Sequence, residues 1–205
     1  MRAMSPSMCC WMSAIIRSAV SCFAGSEEAA EALRKVSDVV MRDGFRIRVY
    51  DAYRPQMAVT CFASWLSDPS DVVMKPVFYP TTEKSVLNER GYISMRSSHT
   101  RGSALDLTLV DAMSGRDLDM GGPFDYFGER SHSAWTEGLT EEQRKNRFYL
   151  RETMTRNGFS GIRSEWWHFR LTEEPYPDTY FTFPVSETSV KRETKPAVQE
   201  LKPAA

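Results

Sequence analysis

From residue 26 onward the chain switches between two hydrophobic periods. Ala29, Leu33, Val36 and Val40 recur at helical spacing. Ser26 precedes them as a side-chain cap, and Glu27 and Glu28 suit the positive end of a helix dipole. Gly44 is a natural stop, so the pattern predicts a helix between Ser26 and Gly44. Phe45, Ile47 and Val49 then alternate with Arg46 and Arg48, which predicts a half-buried strand. Asp51 to Arg54 leads out of it. Pro55 suits the first turn of a second helix carrying Ala58, Phe62, Trp65 and Leu66, and Asp68-Pro69-Ser70-Asp71 breaks that helix. A short helix is expected over Thr82 to Arg90, ended by Gly91, with strands over Tyr92 to Met95 and Ala104 to Val110. In the second of these strands Leu105, Leu107 and Leu109 share one face, which turns Asp106 and Thr108 to the other. Turns are expected at Gly115, Gly121, Gly122 and Pro123. Thr140-Glu141-Glu142-Gln143 has the form of a capping box opening a helix that runs to Asn157 and stops at Gly158. Phe159 to Leu171 contains a final strand. Helices and antiparallel-type strands in this order read as an α+β domain, with a mixed, mostly antiparallel sheet flanked by helices.

Composition narrows the picture. The 205 residues suit one domain with tails, and a net charge of -1 leaves no electrostatic footprint for nucleic acid. Cys9, Cys10, Cys22 and Cys61 match neither a zinc knuckle nor a Cys-x-x-Cys pair and read as reduced thiols. No run of eighteen apolar residues suggests a membrane span. Residues 1–25 form an atypical leader. Met8 to Ile16 is apolar behind Arg2, and Ala19-Val20-Ser21-Cys22 faintly echoes a lipoprotein cleavage site. A cytoplasmic leader is the reading taken, with export as the alternative. Residues 186–205 are polar, lysine-rich and poor in large apolar side chains, so a disordered tail is expected. The folded domain is therefore placed at 26–185. Nothing in the sequence speaks to oligomeric state.

The chain has three histidines, and two of them, His99 and His168, lie in two segments that together offer a metal-ligand inventory. His99 precedes Asp106 by seven residues, with Gly102 between them to let the chain bend. Glu165-Trp166-Trp167-His168 follows some sixty residues later. Two imidazoles, a carboxylate and a spare carboxylate are the inventory of a catalytic zinc site with its base. Spacing alone is equally served by a surface histidine, a capping aspartate and an ion-paired Glu165. Strand alternation would even put Glu165 and His168 on opposite faces, three residues being an odd number, unless a strand end, bulge or turn intervenes. Trp166 and Trp167 are expected in the core.

Several stretches in order change the weight of these readings. Ser97-Ser98-His99-Thr100-Arg101-Gly102-Ser103-Ala104-Leu105-Asp106-Leu107-Thr108-Leu109 resembles the metal segment of D-alanyl-D-alanine dipeptidases of the vancomycin-resistance VanX type. Glu165-Trp166-Trp167-His168 resembles their second metal segment, and Asp51-Ala52-Tyr53-Arg54-Pro55 their arginine turn. Phe124-Asp125, Glu129-Arg130-Ser131-His132 and Glu174-Pro175-Tyr176-Pro177 also match, and the similarity runs from about Glu31 to Val185. The resemblance implies the lysostaphin, D-Ala-D-Ala and hedgehog type of fold and one zinc ion per chain on His99, Asp106 and His168. It implies Glu165 as the catalytic base and Arg54 as the cation facing the scissile carbonyl. It also implies that Ser97 and Asp125 hold the free amino end of a D,D-dipeptide. His132 is expected to support the site wall, outside the ligand set. The physiological sense would be recycling of wall-derived dipeptide or its denial to wall synthesis. Relatives of this type carry a longer segment before the first helix, so the domain is expected to be shortened at its front. A wall carboxypeptidase of the same fold and an inactive zinc-bearing module remain the alternatives.

Overall fold

A computed structural model describes residues 25–185. The readings of residues 1–24 as leader and 186–205 as tail lie outside these, as do Cys9, Cys10 and Cys22. Cys61 is a free thiol. No helix among the described residues is long and apolar enough to cross a membrane.

In chain order the elements are helix α1 (Glu27–Arg42), strand β1 (Phe45–Asp51), helices α2 (Gln56–Ser67) and α3 (Lys75–Phe78), strand β2 (Ala104–Asp111), helix α4 (Glu141–Arg156) and strands β3 (Phe159–Gly161) and β4 (His168–Leu171). Local chemistry sets the long helices. The Ser26 side chain accepts from the Ala29 N–H at the start of α1, and Gly44 follows it at φ +85°. The capping box of α4 is present in both directions, between Thr140 and Gln143.

The strands form one sheet in the order β1-β2-β4-β3. Every pairing in it is antiparallel, so the parallel component expected from the sequence is missing among the described residues. Leu105, Leu107 and Leu109 are fully buried and face α1 and α4 through Val36, Val40, Leu150 and Met154. Trp166 and Trp167 join this core, as expected. A second cluster, built on Trp65, Tyr79, Leu87, Tyr92, Ile93 and Phe127, packs α2 against the irregular chain after α3.

Four local expectations are corrected. Thr82 to Arg90 holds only a three-residue 3-10 turn, Lys84–Val86, and Tyr92 to Met95 is not a strand. Tyr92 and Ile93 are adjacent yet both buried, a demand that alternation along a strand does not meet when one face is solvated. Pro55 stands just before α2 with ψ 151°, as its N-cap rather than inside its first turn. The last strand is two strands, with the Glu165 segment between them.

Candidate metal centre

Strand register builds the floor of the site. Asp106 on β2 stands directly opposite His168 on β4, so both side chains leave the sheet on the face away from the leucines. On the other side of β2, pairing runs from Val49 with Leu107 to Asp51 with Asp106, skipping Tyr50. This bulge shifts the alternation by one and brings Asp51 into register with Asp106, the re-aiming for which bulges recur near active sites. His99 arrives from outside the sheet. It opens a 3-10 turn, His99–Arg101, closed by Gly102 at φ +71°, a left-handed conformation that glycine adopts without steric cost. The chain then enters β2 at Ala104. Glu165 lies in the bend before β4 and His168 is the first residue of β4. The odd spacing is thereby reconciled, because alternation does not begin until His168.

Three donor atoms converge. His168 Nδ1 lies 2.9 Å and His99 Nε2 3.3 Å from Asp106 Oδ1, and the two nitrogens are 3.1 Å apart. All three residues are buried. Two corners of a tetrahedron with arms of about 2.0–2.1 Å are roughly 3.3 Å apart, so the donor set fits a small tetrahedral divalent ion. Outer partners orient the rings. His99 Nδ1 lies 2.6 Å from the Ala52 carbonyl, which can only accept, so this nitrogen carries the proton and Nε2 keeps its lone pair for the cluster. His168 Nε2 meets Ser98 Oγ at 3.3 Å and leaves Nδ1 facing inward.

The remaining residues singled out from sequence line the same cavity of about 320 Å³: Arg54, Ser97, Asp125 and Glu165. Arg54 donates through Nε and Nη2 to Asp51 Oδ2 at 3.0 and 2.6 Å, and Nη2 lies 3.8 Å from Asp106 Oδ2. Glu165 Oε2 is 3.9 Å from His168 Nδ1. Ser97 Oγ accepts from the His99 N–H at 3.2 Å. Asp125 is the only non-glycine with positive φ, at 59°, among the described residues. Held on this strained bend, it projects into the cavity. His132 stays outside the cluster, with Nε2 2.9 Å from the hydroxyl of Tyr92, itself a cavity residue.

Three carboxyls, Asp106, Asp125 and Glu165, share the cavity with the two imidazoles and Arg54, and their charges act on one another. Burial raises the Asp106 carboxyl, but His99 and His168 outweigh it and hold it well below the usual carboxylate range. Burial lowers His99, yet neighbouring Asp106 brings the net shift upward. His168 moves down, burial prevailing over Asp106. Burial, then the charges of Asp106 and Asp125, push Glu165 well up. Burial and Asp106 push Asp125 up to about 8. A divalent cation held by the cluster would favour the ionised form of each of these carboxyls.

Sequence reasoning did not assign roles to the parts that hold the site in place. Asp51 was visible as an acid three residues before Arg54. Glu174 was visible only as part of a matching stretch. In the structure Glu174 takes Arg101 Nε and Nη2 at 2.6 and 2.7 Å and the Ser103 hydroxyl at 2.6 Å. Beyond it the chain is hydrogen-bonded to both turns: Phe181 N–H donates to Thr100 O, Gln56 N–H to Phe181 O, and the Tyr53 hydroxyl to Phe183 O. The last segment thus ties the arginine turn to the His99 turn. Burial raises the Glu174 carboxyl, but its hydrogen bonds and the Arg101 and Arg170 charges lower it overall. A carboxyl depressed on folding stabilises above its unfolded pKa, so this contribution is full above about pH 4.5 and fades as pH falls through the lower folded value. Glu174→Ala should therefore cost about 3 kcal/mol at neutral pH by stranding Arg101, with a smaller difference from wild type in urea melts at pH 3.

A family profile described as D-ala-D-ala dipeptidase, Peptidase_M15, matches residues 15–186. The chain is similar to the D-alanyl-D-alanine dipeptidase of Enterococcus faecalis (42% identity, covering 79% of this chain and 80% of the relative). It is similar to that of Streptomyces coelicolor at 38% identity, over 79% and 80% of the two chains. Among solved structures, the vancomycin-resistance D,D-pentapeptidase VanY in complex with Zn(II) aligns over 72% of each chain with a TM-score of 0.42 and 15% identity. That distance is too great to bear on the chemistry.

Proposed function

The chain belongs to the Peptidase_M15 family of D-Ala-D-Ala dipeptidases, and from that premise we propose that it hydrolyses the free D-alanyl-D-alanine dipeptide at a single zinc site. The zinc would be held by His99, Asp106 and His168. The observation that carries the reading is the convergence of those three donors, 2.9–3.3 Å apart, in a cavity that also contains the Glu165 carboxyl and the Arg54 guanidinium. Zinc bound there supplies Lewis acidity and lowers the pKa of water toward neutrality.

The protein's own groups do the rest. Glu165 takes the proton of the attacking water and hands it to the departing amine nitrogen. Its raised pKa suits both directions of transfer, since a weakly basic carboxylate accepts a proton poorly. Arg54 meets the negative charge that develops on the carbonyl oxygen, and Asp51 keeps its fork in place for that moment. Asp125 and Ser97 hold the ammonium end of the dipeptide. Burial makes the Asp125 charge unfavourable until a cation arrives, so an incoming ammonium lowers its pKa and is bound more firmly as the pocket fills.

The test is an assay of D-alanine release from the dipeptide and from a pentapeptide with the same last two residues, with and without a chelator. Dipeptide turnover that the chelator removes and added zinc restores is the expected result. Turnover of the pentapeptide alone would move the assignment to a carboxypeptidase. No turnover of either by zinc-loaded protein would overturn it.

A further inference from the structure

A dipeptide with free ends brings one carboxylate into the cavity, and the residues considered so far offer that end no cation. Four arginines line the cavity: Arg54, Arg96, Arg101 and Arg170. Arg54 is bound to Asp51 through two nitrogens and faces Asp106. Arg101 is forked onto both oxygens of Glu174, and Arg170 Nη1 takes Glu174 Oε1 at 3.0 Å. Arg96 has no carboxylate partner among the described residues. Its guanidinium lies over the Tyr180 ring, 5.2 Å from the centroid. Tyr180 is in turn anchored, because Arg101 Nη1 donates to its hydroxyl at 3.2 Å. The backbone of Arg96 is also held: its N–H donates to Ser94 Oγ at 3.2 Å, and the Ser94 hydroxyl donates to the Arg96 carbonyl at 2.9 Å.

We propose that Arg96, steadied on Tyr180, is the residue that recognises the free α-carboxylate of the substrate. The proposal rests on the dipeptidase reading above. A guanidinium presents paired N–H donors that match a carboxylate's two oxygens. Stacking on an aromatic ring keeps the fork oriented while its charge stays available. Arg96 is exposed and lines the cavity, and the α-carboxylate keeps its charge while the amide is attacked, so the contact serves ground state and transition state alike. Its loss therefore raises KM and leaves kcat nearly untouched. A charge-assisted contact of this kind is worth about tenfold to a hundredfold in affinity.

The experiment compares D-Ala-D-Ala with its C-terminal amide in wild type, Arg96→Gln, Arg96→Lys and Arg170→Gln. Wild type should favour the acid by about tenfold or more in kcat/KM. Arg96→Gln should raise KM for the acid by about tenfold or more, keep kcat within about twofold, and abolish the preference for acid over amide. Arg96→Lys should restore part of that preference, and Arg170→Gln should leave it intact. An unchanged acid-to-amide ratio in Arg96→Gln overturns the proposal, as does its collapse in Arg170→Gln. Equal turnover of acid and amide by wild type also overturns it, while leaving the dipeptidase reading standing. Turnover of neither overturns both.

Discussion

Glu165→Gln should lower kcat on D-Ala-D-Ala by about 10²–10⁴-fold with one zinc still bound per chain. The substitution keeps the volume and the hydrogen-bonding reach of the side chain and removes only its ability to take a proton. Glu165 is buried beside Asp106 and Asp125, and both of their charges push its pKa upward. A neutral amide there relieves repulsion, so the variant should melt no lower than wild type, and lost turnover cannot be ascribed to unfolding. The three donor atoms of the cluster come from other residues, so metal content measured by atomic absorption should stay at one. Turnover within tenfold of wild type would refute the assignment of Glu165 as base. Loss of zinc along with activity would instead make it part of the metal-holding set.

Arg54→Ala should cost about 10²–10³-fold in kcat, equivalent to about 2.7–4 kcal/mol of transition-state stabilisation, with a smaller change in KM. The guanidinium is aimed by two hydrogen bonds to Asp51 and lies at the edge of the cluster. On the proposed role, donors already aimed need no reorganisation as charge develops on the carbonyl oxygen, so their loss should fall on kcat. Arg54→Lys should recover little, because an ammonium cannot reproduce the fork held by Asp51. Asp51→Asn keeps the cation and frees its orientation, so it should fall between wild type and Arg54→Ala. Equal kcat in wild type and Arg54→Ala would remove Arg54 from the mechanism. A large rise in KM at constant kcat would make it a binding residue instead.

The parts of the fold that were legible in advance are those governed by neighbours in sequence. Ser26 and Gly44 bound α1, and Thr140 with Gln143 opens α4, because capping joins groups only a few residues apart. The face of Asp106 followed from the alternation of Leu105, Leu107 and Leu109. The expected helix over Thr82 to Arg90 and strand over Tyr92 to Met95 failed for the opposite reason. That stretch is shaped by contacts with distant chain: the Thr82 hydroxyl donates to the Phe127 carbonyl, and Tyr92 and Ile93 pack with Trp65 and Phe127. No local period records such partners.

The site divides the same way. Residue types supplied the capacities, since holding a metal, acting as base and stabilising an oxyanion belong to imidazole, carboxylate and guanidinium wherever they stand, and only the resemblance of whole stretches in order pointed to His99, Asp106, His168, Glu165 and Arg54 among the many residues of those types. Tertiary structure decided that they meet. Antiparallel register sets Asp106 opposite His168, and the skipped Tyr50 brings Asp51 into line with Asp106. β4 begins at His168, which frees Glu165 from strand alternation. The Glu174 to Phe183 segment ties the His99 turn to the Arg54 turn. Pairing register and cross-chain ties are settled by side chains far apart in sequence competing for the same buried space, and only the folded chain resolves that competition.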